Sequence, residues 1–246
     1  MTVSNQTRRL TLMAMFAALA FIVVAVGRIP ISSVPFLKYD PKDIMLVICG
    51  FVLGPVPALL VTAVVCLIEM ITISSTGIIG MIMNLLASGA FACIAASIYR
   101  RRHTLRGAAA GLVVGALAMT ALMLLWNYFI TPYYMGYPRE AIAEMLVPVF
   151  LPFNLIKGGL NVAITMLIYK PVSRALKRAG LVESKPSTAP GKKSVTGLML
   201  LAVVVLVTCI LAVLVIKGVI SRGGETAGGR CPLDSCQGAS RPLEPA

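Results

Sequence analysis

Seven apolar runs divide the chain, at about 10–27, 41–53, 56–73, 79–99, 107–131, 148–169 and 195–217. A hydrocarbon core of ~30 Å takes a helix of ~20 apolar residues or a tilted strand of ~10. Most of the runs suit the helix and are too long for the strand. Backbone polar groups in lipid must be satisfied internally, so only helices and closed barrels span a membrane. The runs therefore select an all-α integral membrane protein. With 58% hydrophobic and 13% charged residues and a mean hydropathy of +0.91, a soluble core of this size is excluded.

The second run is the exception. Its thirteen residues rise only ~20 Å, short of the ~30 Å core. Gly54, Pro55 and Pro57 separate it from the third, which predicts a tight break between two helices. The charges bear on its status. Arg8 and Arg9 precede the first run. Arg100, Arg101, Arg102 and Arg106 follow the fourth, and Lys170, Arg174, Lys177, Arg178, Lys185, Lys192 and Lys193 follow the sixth. All three clusters fall on one side only if the short run counts as a span, and that side is then the cytoplasm. The same clustering explains the net charge of +13 without nucleic acid. Arg8 and Arg9 mimic a signal peptide, but no small-x-small cleavage site precedes a soluble region, so the first run reads as a transmembrane helix.

Enzyme chemistry has little material. The one histidine, His103, lies among the arginines, and HExxH, GxSxG and Walker patterns are missing. GKKS at 191–194 lacks the glycine spacing of a P-loop. Cys49, Cys66, Cys93 and Cys209 lie in apolar runs as small packing residues, which leaves Cys231 and Cys236 to pair.

The polar residues inside the apolar runs carry the functional signal. Lys157 sits within PVFLPFNLIKGGLNVAITMLIY at 148–169. A cation near the centre of a membrane helix costs roughly 2.5–3.5 kcal/mol on insertion scales, so it needs a partner, a cavity or a ligand. Asn154, Lys157, Asn161 and Thr165 fall within about 80° of one helical face. Asn127 lies in WNYF at 126–129, Asn84 and Ser88 in the fourth run, and Glu69 near the end of the third. Amides both donate and accept hydrogen bonds and a lysine only donates, a set suited to a neutral ligand bearing carbonyl and imide groups. The competing reading pairs Lys157 with Glu69 and lets each asparagine join helices. Two long connections, RIPISSVPFLKYDPKD at 28–43 and TPYYMGYPREAIAEML at 131–146, are candidate lids over such a site. In the second, an interfacial aromatic belt is an equal expectation. In the first run, Ala14, Ala17 and Ala18 form a small-residue strip that permits close helix approach.

Four segments resemble the riboflavin-binding type of S component in energy-coupling factor (ECF) vitamin transporters: AMFAA (14–18), PFLKYDPKD (35–43), NYFITPYY (127–134) and LPFNLIKG (151–158). The resemblance covers residues 8 to about 178. It implies a six-transmembrane-helix bundle in a prokaryotic plasma membrane, N-terminus cytoplasmic, with an outward pocket under the first loop. It implies no enzyme activity and no cofactor, riboflavin being the transported ligand. Asn127 and Lys157 are implied as hydrogen-bonding residues for the isoalloxazine ring. Phe36, Leu37, Lys38, Tyr39 and Asp40 are implied first-loop contacts, with Asn84 near the ring. Asn154 and Asn161, from the polar stripe, complete the candidate site. Ala14 and Ala18 are implied contacts to a transmembrane coupling subunit that joins two cytoplasmic ATPases.

The chain departs from the pattern twice. Glu69 and Met70 stand where the family often has Lys-Asn, and a seventh run follows the sixth. The expected organisation is a substrate-binding domain at 1–180, a linker at 181–194, an appended lipid-facing transmembrane helix at 195–217 and a disordered tail at 218–246. The alternatives are an S component for pantothenate or thiamine, or a structural membrane subunit without a ligand.

Overall fold

Each apolar run becomes a helix in the computed structural model, which describes residues 5–30, 38–74, 77–136, 138–178, 197 and 199–214. The helices are α1 (Asn5–Gly27), α2 (Lys42–Leu53), α3 (Pro55–Thr72), α4 (Gly77–Arg101), α5 (Leu105–Phe129), α6 (Thr131–Met135), α7 (Arg139–Met145), α8 (Leu151–Arg178) and α9 (Met199–Leu214). Among the described residues, five stretches are long and apolar enough to cross a membrane: Gln6–Gly27, Pro55–Thr72, Gly77–Arg101, Leu105–Tyr133 and Arg139–Tyr169. α9 is a shorter apolar helix. The predicted sites Phe36 and Leu37, the linker 181–194, and the tail 218–246 with Cys231 and Cys236 lie outside the described residues.

Local chemistry sets the boundaries. Gly54, at φ 102°, ends α2, and Pro55 opens α3 where a missing N–H costs nothing. Thr104 caps α5 by accepting a hydrogen bond from the Gly107 N–H at 3.0 Å. Pro148 can donate no backbone hydrogen bond, and the turn around it, Leu146–Phe150, widens to a π-helix before α8.

α2 is short but not lipid-exposed. Nine of its twelve residues are buried, Lys42 and Asp43 among them. It packs against α1, α3, α4 and α8. Protein, rather than lipid, surrounds its polar first turn, which is what makes that turn tolerable at membrane depth. Lipid offers no hydrophobic drive between helices, so close backbone approach does part of the work. At Gly111 and Gly115 of α5, an added Cβ would stand 2.7 Å from the Ala95 carbonyl oxygen and 2.9 Å from that of Phe91. These two glycines let α5 seat on α4.

The connection at 131–146 is not an irregular loop. α6 and α7 occupy most of it, and the Arg139 guanidinium donates to the Tyr133 hydroxyl at 2.5 Å. Pro132, Gly136 and Pro138 punctuate the segment without abolishing helix. In the first connection, β1 (Ile29–Pro30) pairs antiparallel with β2 (Lys38–Tyr39), setting Ile29 opposite Tyr39 and Pro30 opposite Lys38. This two-rung ladder draws the neck of the connection together at the end of the bundle where α2 begins.

α9 also departs from a uniformly lipid-facing helix. Leu206, Cys209 and Val213 pack on a cluster that includes Phe150, Phe153 and Leu160 of the π-turn and α8, whereas Ala202 joins the main core with Met166. Cys209 and Val205 of α9 thus meet α8 at Gly159.

Candidate functional site

Six charged side chains meet near the hairpin, and all but Arg28 are almost wholly buried. Arg28 follows α1, Asp40 follows β2, Lys42 and Asp43 open α2, Glu69 lies in the last turn of α3, and Lys157 lies near the start of α8. Arg28 Nε donates to Asp40 Oδ1 at 2.7 Å and its Nη2 stands 3.6 Å from Glu69 Oε2. Lys42 Nζ is 2.5 Å from Glu69 Oε2 and 3.9 Å from Asp40 Oδ2. Lys157 Nζ is 3.4 Å from Asp43 Oδ2. Three cations and three carboxylates make a cluster without net charge, the arrangement under which buried ions are tolerated.

Neutral side chains extend this lattice. Ser88 of α4 donates to Asp43 Oδ1 at 2.5 Å, and Asn161 Nδ2 donates to Asp43 Oδ2 at 3.0 Å. The Tyr39 hydroxyl donates in turn to Asn161 Oδ1 at 3.0 Å. Asp43 thereby joins α2, α4 and α8 through one carboxylate. As an anion in the first turn of α2, it also faces the positive end of that helix.

The groups between α1 and α2 feel the cluster. Burial opposes the charge on Asp40, but Lys42, Lys157 and Arg28 outweigh it and hold the carboxyl below its usual pKa. Burial likewise opposes the charge on Arg28, and Asp40 and Glu69 hold its pKa above the usual value. Burial pushes the Tyr39 phenol up, with Asp43, Asp40 and Cys209 adding to the shift.

The predicted polar stripe is a buried face. Asn154, Lys157, Asn161 and Thr165 are at most 6% exposed. The Asn154 amide donates to the Phe150 carbonyl at 2.8 Å. The Asn127 amide donates to the Met123 carbonyl at 2.7 Å and accepts from Thr131 Oγ1 at 3.0 Å. Asn84 is half-buried, one turn before Ser88 on the same face of α4. Lys38 is half-buried and Tyr39 and Asp40 are buried. Among the described residues, Trp126 Nε1, Thr165 Oγ1 and Glu69 Oε1 are buried with no hydrogen-bond partner.

One expectation is corrected. The anion beside Lys157 is Asp43; Glu69 is engaged by Lys42 and Arg28. Sequence reasoning had not placed Arg28, Lys42 or Asp43 in the site. The adjacent charges of PKD at 41–43, directly before an apolar run, were the available signal.

Residues 8–169 match the family model described as ECF transporter, substrate-specific component. The chain belongs to this family. It is an S component, a multi-pass membrane protein and not an enzyme. Similar curated proteins are the riboflavin transporter RibU of Staphylococcus aureus, 29% identical over 181 residues that make up 71% of this chain and 95% of that protein. The riboflavin transporter FmnP of Bacillus subtilis is 28% identical over 174 residues, 67% of this chain and 91% of that protein. A solved structure, described as the S component of a bacterial ECF transporter, superposes with a TM-score of 0.62 at 28% identity, covering 70% of this chain and 99% of that one. The S-component fold is therefore shared.

Proposed function

We propose that this S component is specific for riboflavin, binding it at the hairpin end of the bundle and delivering it inward with an ATP-driven partner module. The observation that carries the reading is the Lys157 stripe. A buried ammonium stands among buried amides, in a charge cluster that sums to zero. The isoalloxazine ring is flat and apolar on its faces, with carbonyl and imide groups along one edge. Apolar walls take the faces, and Asn127, Asn154, Lys157 and Asn161 satisfy the edge, with Lys38, Tyr39, Asp40 and Asn84 around it. An unmade buried hydrogen bond costs about 1–3 kcal/mol, so this edge sets specificity. An uncharged flavin suits a site of no net charge better than anionic pantothenate or cationic thiamine does. The names of the relatives support the same choice.

In this reading α2 counts as a span because neighbours bury it, which gives six spans for residues 1–180 and puts the arginine and lysine clusters on the cytoplasmic side with the N-terminus. The hairpin end then faces outward, and the segment 195–217 that contains α9 is a further span. Ala14 and Ala18 are exposed on α1, away from the buried row Leu12, Phe16, Ala20 and Val24. They offer a smooth face to the transmembrane coupling subunit, which joins two ATPases.

Titrating purified protein with riboflavin tests the reading. Saturable quenching of flavin fluorescence is expected. A colourless preparation that shows no quenching, and no thermal shift with riboflavin, overturns it.

A further inference from the structure

We propose that α9 is a lateral wall of the substrate site and that its close seat against Gly159 of α8 helps position Tyr39. The placement of α9 stands by itself; its role rests on the flavin reading above.

Three observations converge. At Gly159 of α8, an added Cβ would stand 2.8 Å from Cys209 Sγ and 3.9 Å from Val205 Cγ1. The two helices therefore meet at a point that only glycine fits without displacement. Leu206, Cys209 and Val213, spaced along one face of α9, pack on the cluster formed by Tyr39, Ile142, Phe150, Phe153 and Leu160. Tyr39 then leads inward, from its hydroxyl to Asn161, from the Asn161 amide to Asp43, and from Asp43 to Lys157. A shift of α9 moves the cluster that includes Tyr39, and Tyr39 holds the amide that orients the carboxylate beside Lys157. Sub-ångström displacements in packed interiors are transmitted rather than absorbed.

The same contact supplies the test in the full-length chain. In Gly159→Cys, mild oxidation should link the introduced thiol to Cys209 within one chain, seen by mass spectrometry of the digested monomer band. Cys49 and Cys66 are buried, and the digest separates a 159–209 linkage from any made by Cys93, Cys231 or Cys236. No linkage, or linkage only between two chains, overturns the placement. For the role, Gly159→Ala should weaken riboflavin binding by about fivefold, because the methyl carbon displaces Cys209. Gly159→Ala with Cys209→Ala should restore affinity to within about twofold of the unmodified chain, because the clashing sulfur is gone. Gly197→Ala, where an added Cβ meets nothing within 4 Å, should leave binding unchanged. Unchanged affinity in Gly159→Ala, or failure of the paired change to restore it, overturns the role. If the unmodified chain does not bind riboflavin, the flavin reading and the role fall together, and the cross-link still decides the placement.

Discussion

Lys157 Nζ stands 3.4 Å from Asp43 Oδ2, and the same carboxylate is held by Ser88 and Asn161. The carboxylate is tied down by two hydrogen bonds while the ammonium is only adjacent to it. Replacing the lysine should therefore leave Asp43 in place and remove a donor from the ligand edge. Lys157→Met is expected to lower riboflavin affinity about tenfold or more in a protein that still folds, with a lowered melting temperature because the buried Asp43 carboxylate loses its cation. Isothermal titration and thermal unfolding on the same sample check both halves. Unchanged affinity removes Lys157 from the site.

Lys42 and Glu69 form a different kind of pair, 2.5 Å apart and almost fully buried, clamping α2 to α3. Losing one member leaves an uncompensated charge, so Lys42→Met should destabilise the protein by about 3–5 kcal/mol. Changing both residues to Met should recover most of that loss, since Arg28 and Asp40 still neutralise each other. Unfolding of the two variants in detergent reads the difference.

Ala14 and Ala18 lie outside the site, and their proposed work is contact with a partner. Ala14→Trp should leave riboflavin binding within about twofold and abolish uptake by cells carrying the whole transporter. Normal uptake by this variant refutes the partner strip.

Asp40 makes stability depend on pH. Its carboxyl is held below its usual pKa in the folded chain. A depressed acid contributes stability that is fully present above its unfolded pKa of about 3.9 and is lost as pH falls through the folded value. Thermal stability should therefore fall on acidification below about pH 4, and Asp40→Asn should lose part of that dependence while being less stable at pH 7.

The helices were legible because hydrophobic length is a local property. The polar face of α8 was legible because a period of 3.6 brings Asn154, Lys157, Asn161 and Thr165 together, and all four are buried. The partner of Lys157 was not. Asp43 read as part of a connecting loop, whereas α2 begins at Lys42 and carries it into the core. Glu69 was the visible acid in an apolar run, but Lys42 and Arg28 take it, a tertiary choice that no spacing encodes. α6 and α7 were hidden by Pro132, Gly136 and Pro138, which signal breaks without revealing the short helices between them. In α9 the uniform Leu/Val sequence concealed which face packs. Its small residues Ala202 and Cys209 lie on that face, and a glycine on another helix decides the contact.

α2 has a consequence for how the chain enters the bilayer during synthesis. Its twelve residues rise about 18 Å and begin with two charges, too short and too polar to be retained in lipid by themselves. Of the helices that bury it, α3, α4 and α8 all emerge from the ribosome later. Gly54 and Pro55 join α2 to α3 with no intervening loop. The two helices are therefore best inserted as one hairpin, with Glu69 arriving to join Asp40 as a counter-charge for Lys42 and the Lys42–Glu69 pair entering hydrocarbon already neutral.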